Sequence, residues 1–399
     1  MILTIPIDPH PDINTSMRVT NIQISKKDTF SELSAMMDDF RLWFRVPSGN
    51  AVSSTGDIFL AAGLIPAMAA GENLEIEPRV RISPKLVTGI MRLQDIYHCW
   101  NPVLKKIEIQ GAQSISEPIN HGVASFFSGG VDGAYTLVRH KEEITHLIYI
   151  NGLDFEMKEE DFAKAVLRRR RIAGSFNKSL IPVKTNLNSF MAQNKIHSVL
   201  RTGACLASVA HVLGFPKAYI ASSNTYNELH PVGTHPLTDP LWSNEATELI
   251  HDGADVKRIE KTQQIIDHEV IRDNLIVCWE ESDENCGICP KCIRTMITLK
   301  ILGVKSSVFQ KDLRLRDVKR LRLNNRDYLS YYHQNLRLAK QKNNRKMEKA
   351  LKKVLRRNSF LFWIRDIDRQ YLRNTLRKFV RFVKHRHVPD KPDRILPRP

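Results

Sequence analysis

No stretch of the 399 residues is both long and apolar enough to cross a bilayer. The longest apolar run, residues 58–70, contains Pro66 and falls short of the roughly 20 residues a spanning helix needs. The stretch Met1-Ile2-Leu3-Thr4-Ile5-Pro6-Ile7-Asp8 lacks the basic region and long apolar segment of a secretory signal, so the chain is expected to be cytosolic. Composition excludes collagen-like, fully disordered and disulfide-scaffold classes, with 42% apolar residues available for a core. No internal repeat is evident, and no Ser-His-Asp arrangement can be assigned. Cysteine is scarce, at six residues, yet four of them fall within fifteen positions. In a cytosolic chain such a cluster more often binds metal than forms disulfides.

Charge is plentiful but unevenly placed. The net charge is +17, yet residues 311–399 hold 28 Lys+Arg against 8 Asp+Glu, leaving 32 against 35 in the first 310 residues. A near-neutral body thus carries a strongly basic tail. The tail points to an anionic partner, whether nucleic acid, anionic lipid or an acidic protein.

Three segments follow from the patterning. Residues 1–118 read as a small α+β accessory domain, with strands at 42–46 and 105–109 and helices at 58–70 and 84–95. Residues 119–305 alternate in type, with strands at 123–127, 146–150, 180–183 and 218–221 and helices at 132–140, 156–173 and 198–213. That alternation predicts an α/β fold, a parallel sheet with helices on both faces and ligands at the carboxyl ends of the strands. Residues 306–399 read as a helical basic tail: Phe360, Ile364, Ile367, Tyr371, Leu376, Phe379 and Val383 recur at helical spacing. Pro389, Pro392, Pro397 and Pro399 mark an end expected to be unstructured.

The first candidate site is Ser128-Gly129-Gly130-Val131-Asp132-Gly133, where an apolar strand runs into two glycines and then a helix. Glycines let backbone N–H groups approach an anion, and a helix N-terminus adds free N–H groups and partial positive charge. Ser128 can donate to a phosphate oxygen. Asp132 would repel phosphate directly, so it is expected to act through Mg²⁺ or to cap the helix. The competing account is an ordinary glycine turn with an Asp cap. No Gly-Lys-Ser/Thr follows, so this is not the Walker pattern.

Ser-Gly-Gly-x-Asp after a first strand resembles the PP-loop, or N-type, ATP pyrophosphatases. The resemblance implies the adenine nucleotide alpha hydrolase-like fold and cleavage of ATP between its α and β phosphates. A carbonyl or carboxylate carbon is adenylated, and a nitrogen nucleophile or sulfur donor displaces AMP. It also implies contacts to adenine at the end of the second strand, Tyr149-Ile150-Asn151-Gly152. One departure is plain: the family usually has Ser after the Asp, and here stands Gly133.

The second candidate site is Cys278, Cys286, Cys289 and Cys292. Four thiolates satisfy tetrahedral Zn²⁺, short spacings fold the chain into a knuckle around it, and a closed four-sulfur shell makes such zinc structural. An iron–sulfur cluster and unliganded thiols are the alternatives. A PP-loop followed by Cys-Trp…Cys-Gly-x-Cys-x-x-Cys-x-Arg is similar to the 7-cyano-7-deazaguanine synthase branch, of queuosine-type chemistry. Those enzymes turn a carboxylate into a nitrile with ATP and ammonia and carry a structural zinc in this place. The resemblance covers about residues 121–300 and leaves the first segment and the tail unexplained.

Further candidates are placed by position. The long polar loop after the fourth strand offers Asn224, His230, His235 and Asp239 as substrate contacts, with a proline-pinned surface loop as the even alternative. Arg201, opening a helix, is a catalytic candidate that could neutralise phosphate or adenylate charge, though a lone Arg is more often a surface residue. Arg168 to Arg171 read as a solvated helix face. Cys99 and Cys205 read as buried core thiols. The tail could bind nucleic acid, lie on an anionic membrane as a basic amphipathic helix, or pack its apolar face on the body. A second copy of the chain stays open as a partner. Two functions compete: an ATP-dependent carbon–nitrogen ligase acting on a small molecule, and a nucleotide- or nucleic-acid-binding scaffold without turnover.

Overall fold

The computed structural model describes residues 16–278, 283–309, 311–323, 326, 328–371 and 375. It divides into two compact units: Met1–Ile276 with Glu281–Asp283, and Val277–Glu280 with Glu284–Pro399.

The first unit opens with β1 (Ser16–Lys26), β2 (Phe30–Met37) and β3 (Phe40–Pro47), paired antiparallel. Asp38, in the two-residue turn between β2 and β3, takes a left-handed φ of 50°. Short polar side chains tolerate that conformation. α1 (Asp57–Ala70) is buried along almost its whole length and stops at Gly71, whose left-handed φ of 74° favours glycine. β4 (Asn73–Ile76) returns parallel to β1, and β5 (Arg81–Ile82) follows. α2 (Pro84–Trp100) starts where Ser83 Oγ accepts the Leu86 N–H at 2.9 Å, with Pro84 preset for the first turn. The strand expected over 105–109 shrinks to β6 (Ile109–Gln110), ahead of β7 (Ala112–Gln113).

Strand and helix then alternate: β8 (Val123–Phe126), α3 (Val131–Arg139), β9 (His146–Asn151), α4 (Glu159–Ser175), β10 (Ser179–Thr185), α5 (Leu187–Gln193), α6 (Ser198–Leu213), β11 (Lys217–Ala221), β12 (Glu248–Asp252), α7 (Arg258–Ile266) and α8 (Glu269–Arg272). All strands except the short β5 and β7 join one ten-stranded, mostly parallel sheet in the order β12-β11-β8-β9-β10-β3-β2-β1-β4-β6. Where the sequence suggests a boundary near residue 118, the sheet runs on: β3 pairs with β10, Lys184 opposite Arg45, and residues 16–276 fall in one unit.

The strand order positions the site. From β8 the chain moves outward to β9 and β10, then crosses back past β8 to β11 and β12. Right-handed crossovers therefore put α3 and α4 on one face and α6 on the other. In keeping with this, α3 packs on α7, α4 on α8 and α6 on α1. Where the direction reverses, between β8 and β11, the connections diverge, and sheets of this kind bind ligands at such a point, at the strands' carboxyl ends.

The second unit carries the four cysteines, α9 (Pro290–Leu302), α10 (Leu315–Arg320), α11 (Tyr328–Gln341) and α12 (Arg345–Gln370). α12 packs on α10 and α11 through Met347, Leu351, Val354 and Phe362. Buried Asn358 on α12 accepts the Leu323 N–H and donates to Leu321 O and Val354 O. Of the helical-spacing residues expected in the tail, Phe360, Ile364, Ile367 and Tyr371 lie on α12 or at its end. Leu376, Phe379, Val383 and the four terminal prolines lie outside the described residues. Among the described residues no helix is long and apolar enough to cross a membrane.

Candidate functional site

Between β8 and α3 the loop takes the form the sequence implies. Gly129 has φ 83°, a left-handed conformation that favours glycine. Gly130 stands at the N-cap of α3, where no side chain caps the helix, so the loop meets the partial positive end of the helix. Gly129 O accepts the Ile276 N–H at 2.9 Å, fixing the loop from outside. A Cβ at Gly133 would meet Phe126 O at 3.3 Å, so a side chain there fits only with a small shift.

Asp132 lies in the first turn of α3, and two cations from α7 face it. Arg258 Nη1 bonds its Oδ2, and Lys261 Nζ lies 3.7 Å from its Oδ1. Lys261 is fully buried and donates to Ser222 O, just past the end of β11, at 2.6 Å. Burial pulls the Lys261 ammonium below its ordinary range, an effect the Asp132 carboxylate partly offsets. Two basic groups and one carboxylate thus meet at the loop beside the strand reversal.

Arg169 braces the same loop. It is buried on α4, and its Nε and Nη2 donate to Ser128 O at 3.1 and 2.6 Å. Its Nη1 donates to Asp283 Oδ1 at 2.6 Å, and the guanidinium carbon lies 3.9 Å from the Tyr149 ring centroid. Arg168 also pairs with Asp283, at 2.9 Å. The solvated face expected for the arginine run is therefore real only for Arg170 and Arg171, which are exposed. Helical spacing carries the missed signal: Arg169 shares the stripe of Phe162, Ala165, Val166, Ile172 and Ala173, all buried.

Tyr149 is largely buried against Phe162 and Arg169, and burial pushes its phenol up. Asn151 closes the β9–α4 connection, accepting the Met157 N–H at 2.7 Å and donating to Met157 O at 3.2 Å. Gly152 allows close approach there, since a Cβ would stand 1.7 Å from Thr185 O. Arg201 is buried in the first turn of α6, donating to Asn188 O and Oδ1 at 3.3 and 2.6 Å. Both acceptors are neutral, and among the described residues no carboxylate forms an ion pair with Arg201.

The polar loop after β11 splits into two environments. Asn224 accepts the Ser222 hydroxyl through its backbone carbonyl, and His230 is exposed. His235 and Asp239 are buried. Asp239 accepts the His235 N–H at 3.1 Å and pairs with His251 Nδ1 on β12 at 2.7 Å. Burial pushes the Asp239 carboxyl up against the pull of His251. The same loop is pressed onto α6, where a Cβ at Gly203 would stand 1.9 Å from Gly233 O.

In the second unit, Cys278, Cys286, Cys289 and Cys292 bring their sulfurs within 4.8 Å of one another. The sulfurs of Cys278 and Cys289 are 3.8 Å apart and those of Cys286 and Cys292 4.0 Å. A tetrahedral shell with metal–sulfur bonds of about 2.3 Å spaces its sulfurs by about 3.8 Å, so the four could hold a metal such as zinc. Backbone N–H groups point at the sulfurs: Ile288 and Cys289 donate to Cys286 Sγ at 3.5 and 3.3 Å, and Cys292 donates to Cys289 Sγ at 3.4 Å. Asn285, fully buried, accepts the Val277 N–H at 2.8 Å and donates to Val308 O at 3.1 Å, holding the segment that delivers Cys278. Of the other two cysteines, Cys205 is buried as expected and Cys99 is exposed, because its side of α2 faces solvent.

Comparison with family models, curated proteins and solved structures gives no match. Sequence reasoning missed Lys261, Arg258, Arg169 and Asn285. Only Arg169 carries a local signal, since the others become neighbours of the site through contacts over eight to 129 residues of chain.

Proposed function

We propose that the first unit binds ATP at Ser128–Gly133 and acts as an ATP-dependent carbon–nitrogen ligase of the PP-loop kind. The observation that carries this is the glycine loop at the strand reversal with Asp132, Arg258 and Lys261 gathered beside it. Backbone N–H groups at the start of α3 would hold phosphate oxygens, with Arg258 and Lys261 supplying positive charge. Asp132 is the carboxylate suited to Mg²⁺, which when bound neutralises phosphate charge. Arg201, buried without an ionic partner, is suited to an anionic group such as the adenylate or the substrate carboxylate. The substrate carboxylate oxygen attacks the α-phosphorus, the bond to the bridging oxygen breaks, and pyrophosphate leaves. Ammonia or an amine then attacks the acyl carbon, AMP departs, and the nitrogen loses a proton. Tyr149 and Asn151 would flank adenine through the backbone, and the loop bearing Asn224, His230, His235 and Asp239 would shape the small-molecule site. The four cysteines are assigned structural zinc, which supplies folding energy and no chemistry.

A second function rests on Gly133, which removes the hydroxyl that the PP-loop pattern supplies: a nucleotide-binding scaffold without turnover. Calorimetric titration with MgATP, run beside a pyrophosphate-release assay with ammonia and a panel of carboxylates, separates the two. Tight binding with release that Asp132→Ala abolishes supports the ligase. Binding without release supports the scaffold, and no binding by the wild-type chain sinks both.

A further inference from the structure

We propose that α12 is a docking helix for an anionic lipid surface, independently of the function assigned to the first unit. Its packed face is complete without its largest outward side chains. Met347, Leu351, Val354 and Phe362 are turned inward, whereas Phe360, Trp363 and Tyr371 are 58%, 56% and 71% exposed. These three recur at helical spacing, so they share one stripe of the outer surface. Phe360 and Trp363 stack on each other with ring centroids 5.8 Å apart and planes at 22°, forming one apolar wedge.

Toward the N-terminus the same stripe is basic. Lys346, Lys349, Lys353 and Arg356 are all exposed on it. The acidic residues of α12 do not neutralise it, because Glu348 pairs with Lys352, Asp366 with Arg326, and Asp368 is buried. The helix has 26 residues, about 39 Å of length at 1.5 Å per residue, so the basic and aromatic halves each span several turns. A basic half matches the charge of an acidic leaflet, and a Trp–Phe–Tyr half matches the headgroup boundary, where aromatic rings settle. No described helix can cross a bilayer, so this helix lies in the interface.

Nucleic acid fits the arrangement less well. Single strands are bound by rings open for base stacking with cations interleaved at each step. Here cations and rings are segregated end to end, and Phe360 and Trp363 already cover each other's faces.

The test is co-sedimentation of the full chain with vesicles of phosphatidylcholine alone or with about 30% phosphatidylserine, from about 0.1 M to about 0.5 M salt. Binding is expected to the serine-containing vesicles only and to weaken with salt. Phe360→Ala with Trp363→Ala should cut the partition constant by about 10- to 100-fold. Changing Lys346, Lys349, Lys353 and Arg356 to Gln should cut it about five-fold per charge removed. All six positions face solvent, so unchanged melting curves will show that the fold is kept. The proposal is overturned if wild-type protein stays in the supernatant, if it binds neutral vesicles equally, or if both variants bind as the wild type does. It is overturned too if a short RNA displaces the vesicles through the same residues.

Discussion

At Lys261, α7 folds onto α3 and buries the ammonium between Asp132 and Ser222 O. Its lowered pKa has a readable consequence. An ammonium that holds phosphate loses its grip once deprotonated, and burial moves that event below the roughly pH 10.4 of an ordinary lysine. MgATP affinity is therefore expected to fall at pH values where exposed lysines keep their charge. Lys261→Met should bind about ten-fold or more weakly at pH 7, from loss of a charge-assisted contact, and show no such step. A pH series by calorimetry checks both, and an identical alkaline step in the variant would assign it elsewhere. Arg169 is the contrasting case, because its place on an apolar stripe was available to period counting. The identity of its neighbours as arginines obscured it.

Among the elements, β8, β9, β10 and β11 were legible because each is a short apolar run between turn signals. α6 agrees residue for residue with the span expected from the sequence. β12 was not legible, since Glu248-Leu249-Ile250-His251-Asp252 is too polar to resemble a core strand. Two of its polar residues find partners far along the chain: Asp252 accepts Thr136 Oγ1 at 2.7 Å and pairs with His140, and His251 Nδ1 pairs with Asp239. β1 was hidden by its exposed Thr20 and Gln23, and β2 by Glu32 and Ser34, which are buried under Arg41 and Arg45. The loop after β11 was visible as a candidate, but its attachment to α6 was not, because it is made by backbone at two glycines. A Cβ at Gly203 would stand 1.9 Å from Gly233 O, and one at Gly233 would stand 2.4 Å from Leu200 O. Backbone cannot yield as a flexible side chain does, so Gly203→Ala should destabilise the protein by about 1–3 kcal/mol or more. Denaturant melts would read this as a lower midpoint. An unchanged midpoint would mean that the loop is free to lift from the helix.

For the whole molecule, the two compact units divide the chemistry: the glycine loop with its cations belongs to the first and the cysteine cluster to the second. Cysteine spacing announced the cluster, while continuity of the sheet from β10 to β3 had no local signature. The division makes a thermal prediction. Structural zinc contributes about 10–16 kcal/mol to small metal-bound folds, as much as or more than the roughly 5–15 kcal/mol that keeps a domain folded. Residues 284–371 without metal should therefore unfold early, whereas the first unit keeps its ten-stranded sheet and its own core. Metal analysis should find one zinc per chain, lost in Cys286→Ser with Cys289→Ser. Calorimetric scans of that variant should show an early transition absent from the wild type. They should keep a later one that MgATP raises, since ligand at about a hundred times its Kd adds about 2.7 kcal/mol to whatever binds it. If the MgATP-sensitive transition vanished along with the zinc, the two units would not be independent in energy, and the glycine loop would depend on the metal.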